Sequence, residues 1–232
     1  MRKYSTLIFL LAVFVASCSS QTTARLSEFP LENGTTWVYS YKTYEQSASD
    51  PSQITEAIYQ LTESVIDVNI SSSYFVSHVK KDYQLIRADA EWVGGEFTAQ
   101  QLEVWYVIQG NQVFSSRNYI DQENIQTNGL GLVYDFPLSL NKAWCLFASD
   151  TKVQNDPVNC DFAGKRQVIA KTSYETPNET FEDCYDMIDY FNTGNFYQTF
   201  CNGIGVVFVT FDHGGTRFGF EQALIQYSTG AP

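Results

Sequence analysis

The chain has 232 residues, 44% of them apolar and 16% aromatic, with a formal net charge of −12 at neutral pH. That apolar load can bury a real core, which excludes a disordered chain. The acidic balance repels phosphate backbones and anionic headgroups, which excludes nucleic acid as a partner.

Met1-Arg2-Lys3 precedes an unbroken apolar run of nine residues, Leu7 to Val15. As a helix it spans about 14 Å, well short of a hydrocarbon core of roughly 30 Å. Residues 1–17 therefore read as a signal peptide and not as a membrane span. The run ends in Val15-Ala16-Ser17-Cys18, which resembles the lipobox of bacterial lipoproteins. That resemblance implies cleavage before Cys18 and acylation of Cys18, palmitate included, so that the membrane is a partner through the lipid anchor. Two or more acyl chains anchor stably where one is marginal. Residues 18–27 then form the lipidated cysteine and a polar tether spanning about 15–18 Å. The expected location is the extracytoplasmic face of a bacterial envelope. No acid follows Cys18 directly, which by family resemblance points to the outer membrane of a cell that has two.

Residues 28–232 read as a single all-β domain. Thr36 to Tyr44 alternates with a period of two, Trp37, Tyr39 and Tyr41 on one face and Val38, Ser40 and Lys42 on the other. Ile54 to Leu61 reads as a strand, although a helical turn also fits it. Ile66, Val68 and Ile70 alternate up to Ser71-Ser72-Ser73, and Tyr74-Phe75-Val76 begins the return. Leu102 to Ile108 meets Val113-Phe114 across Gln109-Gly110-Asn111-Gln112, a hairpin signal. Gln167 to Tyr174 alternates again. In Cys184 to Cys201 the turn reads as Asn192-Thr193-Gly194, which pairs Phe191 with Asn195 and sets Cys201 opposite Tyr185. In Phe208 to Phe220 the turn reads as Gly214-Gly215, which pairs Phe211 with Phe218 and Asp212 with Arg217. The pattern predicts a curled antiparallel sheet, an open or half barrel of about 10–12 strands.

Beyond Cys18 an even number of cysteines remains, Cys145, Cys160, Cys184 and Cys201, spaced by 15, 24 and 17. In an oxidising compartment this reads as a disulfide framework. Three connectivities are open; Cys145–Cys160 and Cys184–Cys201 close short loops worth about 3 kcal/mol each. No CxxC occurs and neither His78 nor His213 lies at ligand spacing, so neither a zinc site nor any other metal is expected.

Phe29-Pro30-Leu31 precedes Trp37 as Phe136-Pro137-Leu138 precedes Trp144, both reading FPLxxxxxW. Each is a lead-in to a strand, or else the head of a duplicated half, 28–135 and 136–232. FPLENGTTWVY, TFEDCYDMIDYFNTGNFYQTFCNGIGVVFV and the closing hairpin together resemble a family of uncharacterised bacterial surface lipoproteins. The pattern is an FPL-led Trp strand, a Cys strand, then aromatic-Cys-x-Gly-[VI]-Gly-Val-Val; Asn202 stands where the family usually has Pro. The resemblance implies a curled antiparallel sheet and carries no catalytic residue.

No GxSxG elbow or phosphate loop is present; Gly129-Leu130-Gly131 and Gly203-Ile204-Gly205 lack the following glycine and helix. Glu182, Asp183, Asp186 and Asp189 cluster, but strand register sends Asp186 and Asp189 to opposite faces, which disfavours a glycosidase pair. Asp150, Asp156 and Asp161 lie in an Asn-rich loop without a calcium-loop pattern. Trp37, Trp92, Trp105 and Trp144 are either sheet core or a platform on which sugar rings stack. The expectation is a lipid-anchored protein without catalytic activity or cofactor, carrying an apolar or amphipathic ligand. The alternatives are a glycan- or polymer-binding surface module and a carboxylate-dependent hydrolase.

Overall fold

The computed structural model describes residues 27–47, 49–71, 74–92, 102–120, 125, 127, 130–146, 160, 164–191, 194–215 and 217–230. The lipobox, the tether before residue 27 and the acidic loop of Asp150, Asp156 and Asp161 lie outside them.

Alternation of large apolar and polar residues produces strands throughout. The first six are β1 (Thr36–Gln46), β2 (Ile54–Ile70), β3 (Phe75–Ala88), β4 (Leu102–Gln109), β5 (Gln112–Ser116) and β6 (Gly131–Asp135). The second six are β7 (Ala143–Cys145), β8 (Lys165–Glu175), β9 (Thr180–Phe191), β10 (Gly194–Cys201), β11 (Gly205–His213) and β12 (Gly219–Ser228). They form one 12-stranded antiparallel sheet in the order β6-β5-β4-β3-β2-β1-β12-β11-β10-β9-β8-β7. Each half of the chain is thus a meander, and the two meanders join where β1 pairs with β12. The all-β, curled-sheet expectation holds, and the segment from Ile54 is a strand.

The sheet curls into a nearly closed barrel. Tyr134 on β6 packs at a tilt against Phe200 on β10 (4.8 Å) and receives a hydrogen bond from Gln198 Nε2. Edges β6 and β7 do not pair as strands. Arg166 on β8 spans the seam, its Nη1 donating to the Val133 carbonyl of β6 at 2.8 Å.

Two predicted registers are corrected. Gly194 pairs with Phe191, not Asn195, which sets Cys201 directly opposite Cys184 with no bulge between them. Phe211 pairs with Phe220 and Asp212 with Gly219, two residues beyond the prediction. The turn after His213 is longer than Gly214-Gly215 because Phe211 stacks on Phe196 (4.2 Å) and meets Phe220 (6.0 Å) inside the barrel. Arg217 accordingly turns away from Asp212 and donates to the Ser52 carbonyl at 2.8 Å. Both disulfides, Cys145–Cys160 and Cys184–Cys201, are formed.

The inner face supplies the core, with Trp37, Tyr39, Tyr41, Tyr59, Leu61 and Phe200 all buried. A second apolar layer lies on the outside of β3–β5. There Val76, Val107 and Phe114 line up across three strands. Beside them Trp105 is covered by His78, stacked at 3.9 Å, and by Tyr119, edge-on at 5.2 Å.

Candidate functional site

The inward positions of β1, β2 and β3 are set by alternation and register. Trp37 lies opposite Glu63, and Glu63 opposite Lys81, so one row across three strands carries an indole, a carboxylate and an ammonium. Lys81 Nζ meets Glu63 Oε1 at 2.6 Å in a largely buried setting. Burial works to lower the Lys81 pKa, but the adjacent Glu63 carboxylate outweighs it and holds the amine charged, above its ordinary value.

Glu63, but not Lys81, lines a small cavity of about 30 Å³ together with Phe29, Leu31, Trp37, Tyr39, Val79, Tyr106 and Val206. That volume holds one or two water molecules. Two polar groups on its wall are engaged with backbone. Trp37 Nε1 donates to the Ile204 carbonyl (2.5 Å) and Tyr39 Oη to the Val206 carbonyl (2.9 Å). Burial, reinforced by Glu63, raises the Tyr39 pKa; burial chiefly pushes Tyr106 up to about 12. Both phenols therefore stay neutral at ordinary pH.

Phe29 and Leu31 cover the cavity from the N-terminal side. The Phe29 ring stands among Tyr106 (5.4 Å), Tyr134 (5.4 Å) and Phe200 (5.6 Å), and Leu31 is 1% exposed. Gly205 lies beside the ring at φ +100°, a backbone conformation that favours glycine, and an added Cβ would only touch Phe29 and the Trp37 nitrogen at 3.5 Å. The covering segment is held at its two ends by backbone bonds, Gly203 N to Glu28 O (3.0 Å) and Gly34 N to Val65 O (2.9 Å). Between them, Leu31 N bonds only to Phe29 O, and Phe29 to Leu31 make no backbone hydrogen bond to a strand among the described residues. Between those two tethers, side-chain packing seats Phe29 and Leu31.

A second buried polar group closes the seam side of the interior. Arg166 holds Asp189 with two bonds of 2.6 Å and places its guanidinium 5.1 Å from the Tyr134 ring. Burial opposes the arginine charge, and Asp189 more than compensates, raising its pKa. The inner wall is therefore apolar and aromatic with two ion pairs set into it.

Of the four tryptophans that the sequence leaves between sheet core and a stacking platform, three are core. Trp37, Trp105 and Trp144 are 3%, 6% and 1% exposed, and Trp92 is partly buried against the core. Each is a large apolar surface on a doubly covered sheet, so burial prevails over display. The exposed rings on one outer face are Tyr190 and Tyr197, 42% and 44% exposed, on neighbouring strands β9 and β10. The predicted carboxylate cluster is dispersed. Asp186 accepts from Thr199 Oγ1 (2.7 Å), while Asp189 faces inward to Arg166. Asp183 is bonded by Lys171 and Asn202, which hold its carboxyl below the usual range. A general acid needs the opposite shift. His78 stacks on Trp105 with Nε2 3.1 Å from Glu103. Among the described residues no group of three or more His, Cys, Asp or Glu side chains gathers to hold a metal.

Sequence reasoning missed Glu63, Lys81 and Arg166. The available signal was parity: Glu63 falls on the buried phase of β2, where every other inward residue from Ala57 to Val65 is apolar.

No family model and no curated protein matches the chain. Two solved structures resemble it. One is a Bacteroides fragilis NCTC 9343 protein described as exported and as having a YmcC-like fold. It is 12% identical, over 85% of this chain and 97% of that one, with a TM-score of 0.45. The other is a Parabacteroides distasonis ATCC 8503 protein described as a lipoprotein. It is 14% identical over 86% and 97%, with a TM-score of 0.44.

Proposed function

We propose that the protein is a non-catalytic lipoprotein, anchored to the extracytoplasmic envelope through Cys18, whose barrel interior receives an apolar or amphipathic ligand. The observation carrying this reading is the cavity under Phe29 and Leu31, with an aromatic wall, the Lys81-paired carboxylate of Glu63 on it and a cover seated by packing between two backbone tethers. Apolar walls with a few fixed polar groups are the usual composition of a small-molecule site. The cavity opens in part to solvent but is small, so seating a chain in it requires the cover to move. Residues 19–27 connect that cover to the proposed anchor, so on this reading the opening faces the membrane that supplies such ligands.

Native mass spectrometry of residues 19–232, exported and purified without detergent, tests the reading. An adduct of several hundred daltons, released by collisional heating, is expected; a clean apo mass counts against a tight carrier.

A second reading is supported by Tyr190 and Tyr197, two exposed rings flanked by polar residues on one outer face. A glycan-binding module would stack sugars there and not on the tryptophans. Tyr190→Ala with Tyr197→Ala would then abolish retention on an immobilised glycan panel.

A further inference from the structure

Resting on the interior site proposed above, we infer that its ligand is an apolar chain ending in a hydrogen-bond donor, a hydroxyl or protonated amine. That donor would seat at Glu63, and the chain would replace Phe29 and Leu31.

The polar atoms of the wall decide the head. Trp37 Nε1 and Tyr39 Oη already donate to backbone carbonyls. Glu63 Oε1 is taken by Lys81, and Oε2 carries no hydrogen bond among the described residues. The side-chain acceptors left on the wall are therefore Glu63 Oε2, which carries charge, and the neutral Tyr106 hydroxyl, whose proton Glu63 helps to hold. A hydroxyl or ammonium satisfies Oε2 directly. Lys81 does not line the cavity, so a carboxylate head would meet the like charge of Glu63 first and lose its own hydration.

The cover decides the tail. A cavity of about 30 Å³ cannot hold a chain. Phe29 and Leu31 together bring about eleven side-chain carbons, so their withdrawal leaves room for an alkyl chain of roughly eight. Their removal breaks no strand hydrogen bond among the described residues. The ring neighbours they leave, Tyr106, Tyr134 and Phe200, sit on β4, β6 and β10 and stay in place.

The test is calorimetric titration of the mature chain carrying Cys18→Ser, so that no acyl chain competes, with 1-octylamine, 1-octanol and octanoate. Octylamine and octanol are expected to bind at least tenfold more tightly than octanoate. Phe29→Ala with Leu31→Ala should tighten all three by tenfold or more and keep that order. Phe29→Ala alone, which takes the ring out of the cover and leaves Leu31 in place, serves if the double variant does not fold. Glu63→Gln with Lys81→Gln removes both charges together and should bring octylamine and octanoate within threefold of each other. If octanoate equals octylamine in the native chain while the cover variant still tightens binding, the head assignment is overturned and the interior site stands. If a folded cover variant binds no better than the native chain, the plug is overturned. If no probe binds either folded protein, the interior site itself falls and the cavity is a water site.

Discussion

Phe29 and Phe136 rest on the same two rings, Tyr134 and Phe200, although each belongs to a different half of the chain. The two FPL segments therefore converge inside the barrel, one leading into β1 and the other joining β6 to β7. Their phenylalanines fill a space that strand pairing does not enclose, because β6 and β7 are not hydrogen-bonded to each other. The repeated motif has a direct structural role at both positions.

The tryptophans that follow the two motifs differ in one respect. Trp37 donates to Ile204, whereas the Trp144 nitrogen is buried without a partner among the described residues. Trp37→Phe leaves the Ile204 carbonyl unsatisfied, a loss of about 1–3 kcal/mol that Trp144→Phe does not incur. Urea unfolding of the two variants should place Trp37→Phe lower by at least about 1 kcal/mol.

The seam depends on Arg166. Asp189→Asn leaves a buried guanidinium without its counter-ion, and a destabilisation of about 3–5 kcal/mol is expected. Arg166→Met with Asp189→Leu removes both charges and should recover most of that loss. Thermal and urea denaturation of the single and double variants check this. Equal losses in the two would mean that the bridge to Val133, and not the charge pair, holds β6.

Gly194 and Gly215 both have positive φ, +152° and +108°, but their surroundings differ. A Cβ at Gly194 lands 2.7 Å from the Asp212 carbonyl oxygen, whereas one at Gly215 meets nothing within 4 Å. Gly215→Ala carries backbone strain alone; Gly194→Ala adds a clash with main chain. The second should cost more than about 1 kcal/mol beyond the first. Chemical unfolding of both variants measures the difference.

Alkaline pH should weaken the barrel. Burial raises the pKa of Tyr39, Tyr83, Tyr106 and Tyr134, with Tyr106 reaching about 12. An unfolded tyrosine ionises near pH 10 while the folded one keeps its proton. Stability is therefore fully present below about pH 10 and declines as pH rises from there toward 12. Tyr106→Phe should reduce the slope of stability against pH in that window by up to one proton. Denaturant midpoints between pH 9 and pH 12, alongside tyrosinate absorbance, give the slope.

Much of the architecture was legible in the chain because its causes are local. The period of two in TWVYSYKTY sets which side chains of β1 share a face, whatever pairs beside them. The same locality exposes the Gly110 turn between β4 and β5, and it identifies an all-β fold without reference to any contact. Register was less legible. Turn residues suggested where β11 meets β12, but the packing of Phe211 on Phe196 and Phe220 shifted the pairing by two residues.

The candidate site was mostly hidden. An indole is equally compatible with display or burial until the opposite face of the sheet is known, which is why Trp37, Trp105 and Trp144 became core. Glu63 and Lys81 are 18 residues apart and meet only because β2 and β3 pair in one particular register. Arg166 reaches Val133 only because the whole sheet curls until its first and last edges approach. Alternation along one strand determined the faces of this protein. Pairing and curvature, which sum contributions from all twelve strands, decided what those faces enclose.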